Sequence, residues 1–167
     1  MKDNINDLKS ISENIDIDEY IEFRESIKKN MENPEWLGDF SKEDLIFLLN
    51  NKSKIWMYYK DFEPVCSMML IPSDEKSLNK AEINLDYQVV ASYGPMMVNP
   101  DFVGNGLQYQ MLKEIDKYSK EIGFEYAETT VHPDNIYSIN NLIKDDFKLV
   151  NTKTYKRGIR NIYLKKL

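Results

Sequence analysis

The sequence predicts an α/β (α+β) fold, with a mixed central sheet of about six to seven strands flanked by about four helices. One observation is the order of hydrophobic patterns along the chain, which alternates between helical and strand-like spacing as ααββ, β, α, β, α, ββ. A second is a glycine-bearing loop between a strand pattern and an amphipathic helix pattern. A third is the composition: 167 residues, 42% hydrophobic and 30% charged, are typical of one globular domain over residues 1–167.

The first third of the chain predicts two helices and a hairpin. Ser41, with Asp44 three residues later, resembles a capping box and predicts the start of the second helix. A turn around Asp61–Pro64 separates two strand patterns, Ile55–Tyr59 and Val65–Ile71. The first helix is predicted from apolar residues at roughly helical spacing, which are Ile17, Tyr20, Ile21, Phe23 and Ile27.

The rest of the chain predicts a long strand region, two helices and three further strands. Glu82–Val98 is expected to be strand, interrupted at Gly94-Pro95 because proline donates no ladder hydrogen bond. A helix is expected to start near Asn105 and to end at Gly123 as its C′ residue. Its apolar face is predicted from residues at 3.6-residue spacing, which are Leu107, Met111, Leu112, Ile115, Tyr118 and Ile122. A strand at Phe124–Val131, a helix carrying Ile136, Ile139, Leu142 and Ile143, and a hairpin around Arg157-Gly158 complete the prediction.

Composition excludes several classes of protein. The longest apolar run, Val65–Ile71, is too short to span a bilayer, and the N-terminus has no apolar signal segment, so we expect a cytoplasmic protein without a membrane partner. The single cysteine, Cys66, forms no internal disulfide and no multi-cysteine zinc site, so no metal is expected. The formal net charge of −6 argues against a nucleic-acid partner. The sequence leaves monomer and homodimer open.

The charge is unevenly distributed. From Lys144 to Leu167 there are eight Lys and Arg against two Asp, whereas the remainder carries 14 basic and 26 acidic residues. The basic end has two interpretations, a neighbour of an anionic ligand or a lysine-rich strand edge that resists aggregation. The acidic remainder hints at a cationic acceptor.

The loop with Gly104 and Gly106 is the strongest functional signal. The first N–H groups of a helix have no intrahelical partner, and glycines let an anion approach them closely. A phosphate or pyrophosphate site is one interpretation, and a plain strand-to-helix turn is the other. The segment has neither the Walker pattern nor a third Rossmann glycine, since Tyr109 occupies that position.

The wider segment Val98–Val150 resembles the GNAT superfamily of acyl-CoA-dependent N-acetyltransferases. It contains a strand ending in V-N-P, the loop V-G-N-G-L-Q, a helix, a strand and an Asn opening a second helix. Three positions depart from the family pattern: Val103 replaces Gln or Arg, Gln108 replaces Gly or Ala, and Asp146 replaces the Gly before Phe147. The resemblance implies a GNAT-like sheet, acetyl-CoA as cosubstrate and an amine as acceptor.

The resemblance also implies residue roles. The backbone of Met96, Met97 and Val98 would contact the pantetheine arm and the acyl carbonyl. Asn135 would contact coenzyme A, with Ser138 one helical turn later. The pyrophosphate loop would consist of Val103, Gly104, Asn105, Gly106, Leu107 and Gln108.

Acetyl transfer to an amine requires a route for protons. We expect the base among Glu82 and Asp86 on the long strand, Glu128 on the next strand, and His132 in a turn. The tyrosine that the family often provides as an acid is replaced by Leu142, so Tyr137 and Tyr155 are the candidate acids. Each of these residues also has a structural interpretation, as a solvent-facing strand residue, a turn residue or packing. Trp56–Tyr59 and Trp36 would line an acceptor pocket or pack in the core.

Three functions therefore remain open from the sequence. The first is an N-acetyltransferase that moves an acetyl group from acetyl-CoA to an amine of a small molecule or peptide by direct attack. The second is a non-catalytic acyl-CoA-binding or sensing module on the same fold. The third is a binding protein for another phosphorylated ligand.

Overall fold

A computed structural model describes residues 2–167 of the chain. It is a mixed α/β structure with an eight-stranded sheet and five α-helices, which confirms the predicted fold class with one strand and one helix more than expected. The chain divides into two compact units. The first comprises residues 2–70 with Gly94–Met111, and the second comprises Ile71–Tyr93 with Leu112–Leu167.

The elements are numbered in chain order. The helices are α1 Ile17–Lys29, α2 Lys42–Asn50, α3 Glu75–Ala81, α4 Leu107–Glu121 and α5 Ile136–Lys144. The strands are β1 Lys9–Ile11, β2 Lys54–Lys60, β3 Glu63–Pro72, β4 Val90–Tyr93, β5 Met97–Val98, β6 Tyr126–Val131, β7 Lys148–Tyr155 and β8 Gly158–Lys166.

The first unit is built on antiparallel strands. β2 pairs with β1 on one side and β3 on the other, and β5 also pairs with β3. The predicted hairpin is confirmed, with Asp61 and Phe62 at positive φ in its turn. The predicted capping box of α2 is confirmed as well: Ser41 accepts from the Asp44 N–H, and the Asp44 carboxylate accepts from the Ser41 N–H. The sequence was sufficient to predict the hairpin and the capping box, because each depends on residues only a few positions apart.

The second unit combines one parallel and two antiparallel pairings. β4 is parallel to β6, β8 is antiparallel to β6, and β7 pairs with β8. α5 begins after Asn135 as expected and carries Leu142 into the core. The predicted hairpin around Arg157-Gly158 is confirmed by the β7–β8 pairing.

The prediction of strand across Glu82–Val98 was wrong in its first half. Residues 75–81 form α3, Glu82 is its left-handed C-cap residue, and Tyr87–Val89 form a 3-10 turn before β4 begins. Asp74 caps α3 through the Ser77 N–H, and Leu78 and Ala81 are buried. The helix was missed because its buried face consists of these two residues alone, too few for a periodicity signal.

The helix after the glycine loop begins at Leu107 rather than near Asn105. Its predicted apolar face is largely confirmed, and Gly123 adopts φ +102° as the C′ residue. The N–H of Phe124 donates to the Ser119 carbonyl, which completes a Schellman motif. The fully buried members of the face are Leu107, Met111, Leu112 and Ile115, whereas Ile122 lies beyond the helix and is half exposed.

Candidate functional site

The glycine loop of the first unit presents backbone donors that find no acceptor among the described residues. Within residues 2–167, the N–H groups of Gly104, Asn105, Gly106 and Leu107 donate to no acceptor, whereas the preceding Val103 N–H donates to the Pro100 carbonyl. These donors open a helix of 15 residues, where the macrodipole places roughly half a positive charge. The arrangement is suited to an anion.

The space around the two loop glycines is open. Gly104 has φ +93° and Gly106 has φ +73°, and a Cβ built on either meets no atom within 4 Å. Glycine is therefore required by the backbone conformation, not by crowding within the protein. Two residues that depart from the family pattern flank the glycines. The Val103 side chain is 69% exposed and does not cover the loop backbone. The Gln108 side chain is half-buried.

Two side-chain amides hold the loop in place. Asn105 donates from its side chain to the Phe102 carbonyl at 2.9 Å. Gln110, on the first turn of α4, donates to the Asn105 carbonyl at 3.1 Å. Gln110 was not predicted from the sequence, although its position one turn into the helix behind the loop was a usable signal.

The chain changes strand partners at the predicted break. Before Gly94, β4 pairs with β6 in the second unit; after Pro95, β5 pairs with β3 in the first. The Gly94 N–H donates to the Met69 carbonyl at 2.9 Å, and the Asn99 N–H donates to the Val65 carbonyl at 2.7 Å. Met97 is buried, while Met96 and Val98 are half-buried. Of the three residues expected to contact an acyl group through their backbone, Met97 and Val98 form β5 and Met96 directly precedes it.

Asn135 and Ser138 belong to the second unit. Asn135 is the N-cap residue of α5, and its side chain accepts from the Ser138 N–H at 3.3 Å. The Asn of the family-like pattern therefore has a structural task in starting the helix. Tyr137, on the first turn of the same helix, is 67% exposed.

Glu82 and Asp86 do not lie on a strand, contrary to the sequence prediction. Glu82 accepts from the Lys153 ammonium at 2.8 Å and from the Asn151 amide at 2.9 Å. The hydrogen bond from Lys153 lowers the pKa of the Glu82 carboxyl, which weakens it as a base. Asp86 caps the following 3-10 turn through the Gln88 N–H.

Glu128 on β6 is a buried carboxyl in the second unit. It is 7% exposed, lies opposite Ser92 of β4, and forms no salt bridge within residues 2–167. Burial raises the pKa of the Glu128 carboxyl, while a hydrogen bond from Ser92 partly opposes this. A carboxyl with a raised pKa is a better match to proton transfer near neutral pH than an ion-paired one.

Tyr155 shares a sheet face with Glu128. Glu128 pairs with Leu164 of β8, and Tyr155 pairs with Gly158 of the same strand. Positions 158 and 164 differ by an even number of residues, so both pairs project to one side. Burial, and then the charge of Glu128, raise the pKa of the Tyr155 hydroxyl.

His132 and the tryptophan segment have structural roles in this structure. The His132 ring accepts from the Asp134 N–H at 3.1 Å, so the ring stabilises the turn before α5. Trp56, Met57 and Tyr58 are buried in the core.

A charged cluster in the second unit escaped the sequence analysis. Lys165 of β8 contacts the carboxylates of Asp116 and Asp145, and the Tyr93 hydroxyl donates to Asp116 at 2.8 Å. Burial raises the pKa of the Asp116 carboxyl, and the hydrogen bond from Lys165 opposes this. These residues are far apart in the chain, so no spacing pattern in the sequence predicts the cluster.

Solved structures resemble this chain over almost its whole length. An acetyltransferase of the GNAT family from Streptococcus pneumoniae superimposes with a TM-score of 0.68 at 10% identity, covering 95% of this chain and 99% of that one. The GNAT domain of PAT from S. lividans gives a TM-score of 0.71 at 13% identity, covering 96% and 90%. The chain has the GNAT fold.

A further structure with this fold was solved with coenzyme A. The Bacillus subtilis acetyltransferase in complex with CoA matches with a TM-score of 0.68 at 11% identity, covering 96% of this chain and 99% of that one. No protein-family model matches the sequence, and no curated protein matches it either. The GNAT likeness is thus one of fold.

Residues 2–167 contain neither a helix suited to span a membrane nor a cluster of metal-ligating side chains. None of their helices combines the length and the apolar character that crossing a bilayer requires. No group of three or more His, Cys, Asp and Glu residues among them is arranged to hold a metal ion.

Proposed function

We propose that the protein is an N-acetyltransferase that transfers an acetyl group from acetyl-CoA to an amine of a small molecule or peptide by direct attack. The observation that carries the proposal is the row of donors from Gly104 to Leu107, which point to no acceptor within residues 2–167 and open α4. A phosphate or diphosphate group suits such a row of donors. Coenzyme A in a structure of the same fold adds support.

The coenzyme would be held mainly through main-chain atoms. The segment Val103–Gln108 would bind the pyrophosphate, and the backbone of Met96, Met97 and Val98 would bind the pantetheine arm and the acyl carbonyl. Asn135 and Ser138 at the start of α5 would add polar contacts. Main-chain binding explains why Val103 can replace a polar residue, since an exposed side chain at this position is not needed for the contact.

Acyl transfer needs a neutral amine. For an amine with a pKa near 10.4, deprotonation at pH 7 costs about 3.4 pKa units, or roughly 4.6 kcal/mol. Among the candidate bases, Glu128 fits this task best, because Glu82 is held as a carboxylate by Lys153 and Asp86 is a cap. Tyr155, on the same sheet face as Glu128, is the better-supported proton donor to the leaving thiolate, with Tyr137 as the second candidate.

A cationic acceptor is favoured by a groove in the first unit. The groove has a volume of about 370 Å³ and contains three carboxylates and no basic residue in its lining. Its lining residues are Glu19, Glu22, Phe23, Ser26, Glu63, Pro64 and Asn99. An acceptor with more than one ammonium group would gain from this charge.

The coenzyme claim is tested by calorimetry on matched glycine variants. Gly104→Ala and Gly123→Ala place a Cβ at φ +93° and φ +102°, and neither Cβ meets an atom of the protein within 4 Å. Each substitution should cost about 1–2 kcal/mol of stability through the left-handed backbone. Only Gly104→Ala should weaken acetyl-CoA binding, by about tenfold or more. Equal affinities for coenzyme in the two variants would contradict the proposal.

The catalytic claim is tested by thiol release from acetyl-CoA with a panel of amines. Wild-type protein should release coenzyme A thiol in the presence of at least one amine, with polyamines and other multiply charged amines ahead of monoamines. Coenzyme binding without thiol release for any amine would favour the non-catalytic acyl-CoA-binding module instead. One observation favours this second candidate: the position of the family tyrosine holds Leu142, which is buried in the core.

A further inference from the structure

The N-terminal segment lies across the glycine loop. The Asp3 N–H donates to the Asn105 side-chain oxygen at 3.2 Å, and the Ile5 N–H donates to the Gln110 side-chain oxygen at 2.8 Å. Gln110 uses its other end to donate to the Asn105 carbonyl at 3.1 Å. One amide side chain therefore links the N-terminal backbone to the loop backbone. We call residues 3–5 the strap.

Independent contacts hold the strap at both ends. Ile5 is buried, which fixes one end by hydrophobic packing. The Asp3 carboxylate accepts from the Lys60 ammonium at 2.6 Å, and the same ammonium lies 5.6 Å from the centre of the Phe102 ring. Phe102 precedes the glycine loop directly, so Lys60 connects the strap to the other side of the loop.

The loop needs such support for a physical reason. Glycine visits more backbone conformations than any other residue, and this loop contains two glycines and four N–H groups without an acceptor in the described chain. A loop that had to be ordered by its ligand would lose part of the binding free energy to conformational entropy. Hydrogen bonds at Asn105, between the two glycines, restrict the backbone before a ligand arrives.

We propose that Gln110 is a positioning residue that fixes the coenzyme loop by tying Asn105 to the strap. The proposal rests on the proposed function for the identity of the ligand, but the ordering of the loop is a property of the free protein. Because coupling between two sites is reciprocal, coenzyme binding would also hold the strap more tightly.

The test compares Gln110→Met with wild type. Methionine has a similar length but neither donates to Asn105 nor accepts from Ile5. The first readout is the backbone order parameter of the amides from Gly104 to Leu107, measured by ¹⁵N relaxation in the free protein. These order parameters should fall from values typical of rigid backbone, above about 0.8, to below about 0.6. Unchanged order parameters would overturn the proposal.

The second readout is the dissociation constant of coenzyme A. It should rise about tenfold in Gln110→Met, and the matched variant Gln88→Met, at an exposed glutamine of the second unit, should leave it unchanged. A merely structural role would lower the melting temperature of Gln110→Met while leaving both the order parameters and the affinity as in wild type. That result would overturn the proposal.

The test also covers a Gln110→Met variant that does not fold and a wild-type protein that does not bind coenzyme A. If Gln110→Met does not fold, Gln110→Glu retains an acceptor for the Ile5 N–H and loses the donor to Asn105, and the same order parameters should fall. If wild-type protein binds no coenzyme A, the proposed function fails, and the order parameters alone decide the role of Gln110.

Discussion

The ammonium of Lys165 lies 2.9 Å from a carboxylate oxygen of Asp145, a residue whose side chain is completely buried. The same ammonium contacts the carboxylate of Asp116, and Lys113 also contacts Asp145. Breaking a buried ion pair leaves a charge without solvation, which costs far more than losing a pair at the surface. Lys165 and Lys113 together balance the charges of two carboxylates, Asp116 from α4 and Asp145 from the end of α5.

Substitution Lys165→Met should therefore be strongly destabilising. The free energy of unfolding should fall by about 3–5 kcal/mol, measured by urea denaturation. The control is Lys42→Met, which breaks a pair with Asp18 that is 2.7 Å long but exposed, so its loss should be far smaller than that of Lys165→Met. A loss for Lys165→Met no larger than that of the control would contradict the assigned role of the cluster.

Asp146 occupies a backbone position that favours glycine. Its φ is +65°, and the hydrogen bonds around it form a Schellman motif, with the Phe147 N–H donating to the Leu142 carbonyl at 3.0 Å. Gly123 fills the equivalent position after α4. Asp146→Gly should therefore raise the free energy of unfolding by about 0.5–1 kcal/mol, since it removes left-handed strain.

A second variant distinguishes the effect of the Asp146 charge on stability from the effect of its backbone strain. Asp146→Asn removes the negative charge near the helix C-terminus but keeps a side chain, so it should gain less than Asp146→Gly. Both gains are measured by urea denaturation at neutral pH. A decrease in stability for Asp146→Gly would show that the Asp146 side chain makes a stabilising contact.

Glu128 should make the stability of the protein depend on pH. Burial raises the pKa of this carboxyl in the folded state above its unfolded value, so the folded protein favours the protonated form. The stability from this group is present at low pH and is lost as the pH rises through the folded pKa. Glu128→Gln should therefore be more stable than wild type at pH 7 by about 1–3 kcal/mol, and equally stable near pH 4.

The same variant tests the proton-transfer proposal. Amine-dependent thiol release should fall by at least about a hundredfold in Glu128→Gln at neutral pH, because glutamine cannot accept the proton. Glu82→Gln is the control and should retain activity. A Glu128→Gln protein that is more stable and equally active would mean that Glu128 is buried without a catalytic role.

Cys66 should be unreactive in the folded protein. The residue is fully buried, and burial raises the pKa of its thiol to about 12. Because the thiolate is the reactive form, alkylation at pH 8 should be negligible in buffer and complete in concentrated urea. It is the only cysteine in the chain, so a disulfide-exchange reagent such as DTNB should report one thiol per chain after unfolding. Rapid labelling without denaturant would contradict the packing of β3.

Local signals in the sequence predicted the elements whose terminal backbone hydrogen bonds are made by residues close in the chain. The capping box at Ser41, the C′ glycine at 123 and the strand–loop–helix at Gly104 each depend on residues within a few positions of one another. The GNAT-like fold was implied by the resemblance of Val98–Val150 to the family pattern, together with the order of helical and strand patterns along the chain. The short helix α3 and the three-residue strand β1 could not be predicted, because their sequences carry almost no periodicity.

The amino-acid sequence by itself determined the glycine loop, because positive φ and bare N–H groups at the start of a helix follow from residue type and position. Tertiary structure alone decided which carboxylates are paired and which are buried: Glu82 meets Lys153, Glu128 meets no cation in the described chain, and Asp145 meets Lys165. These outcomes depend on residues brought together from distant parts of the chain. The pKa of a carboxyl follows from its burial and its neighbours, which only the folded chain defines.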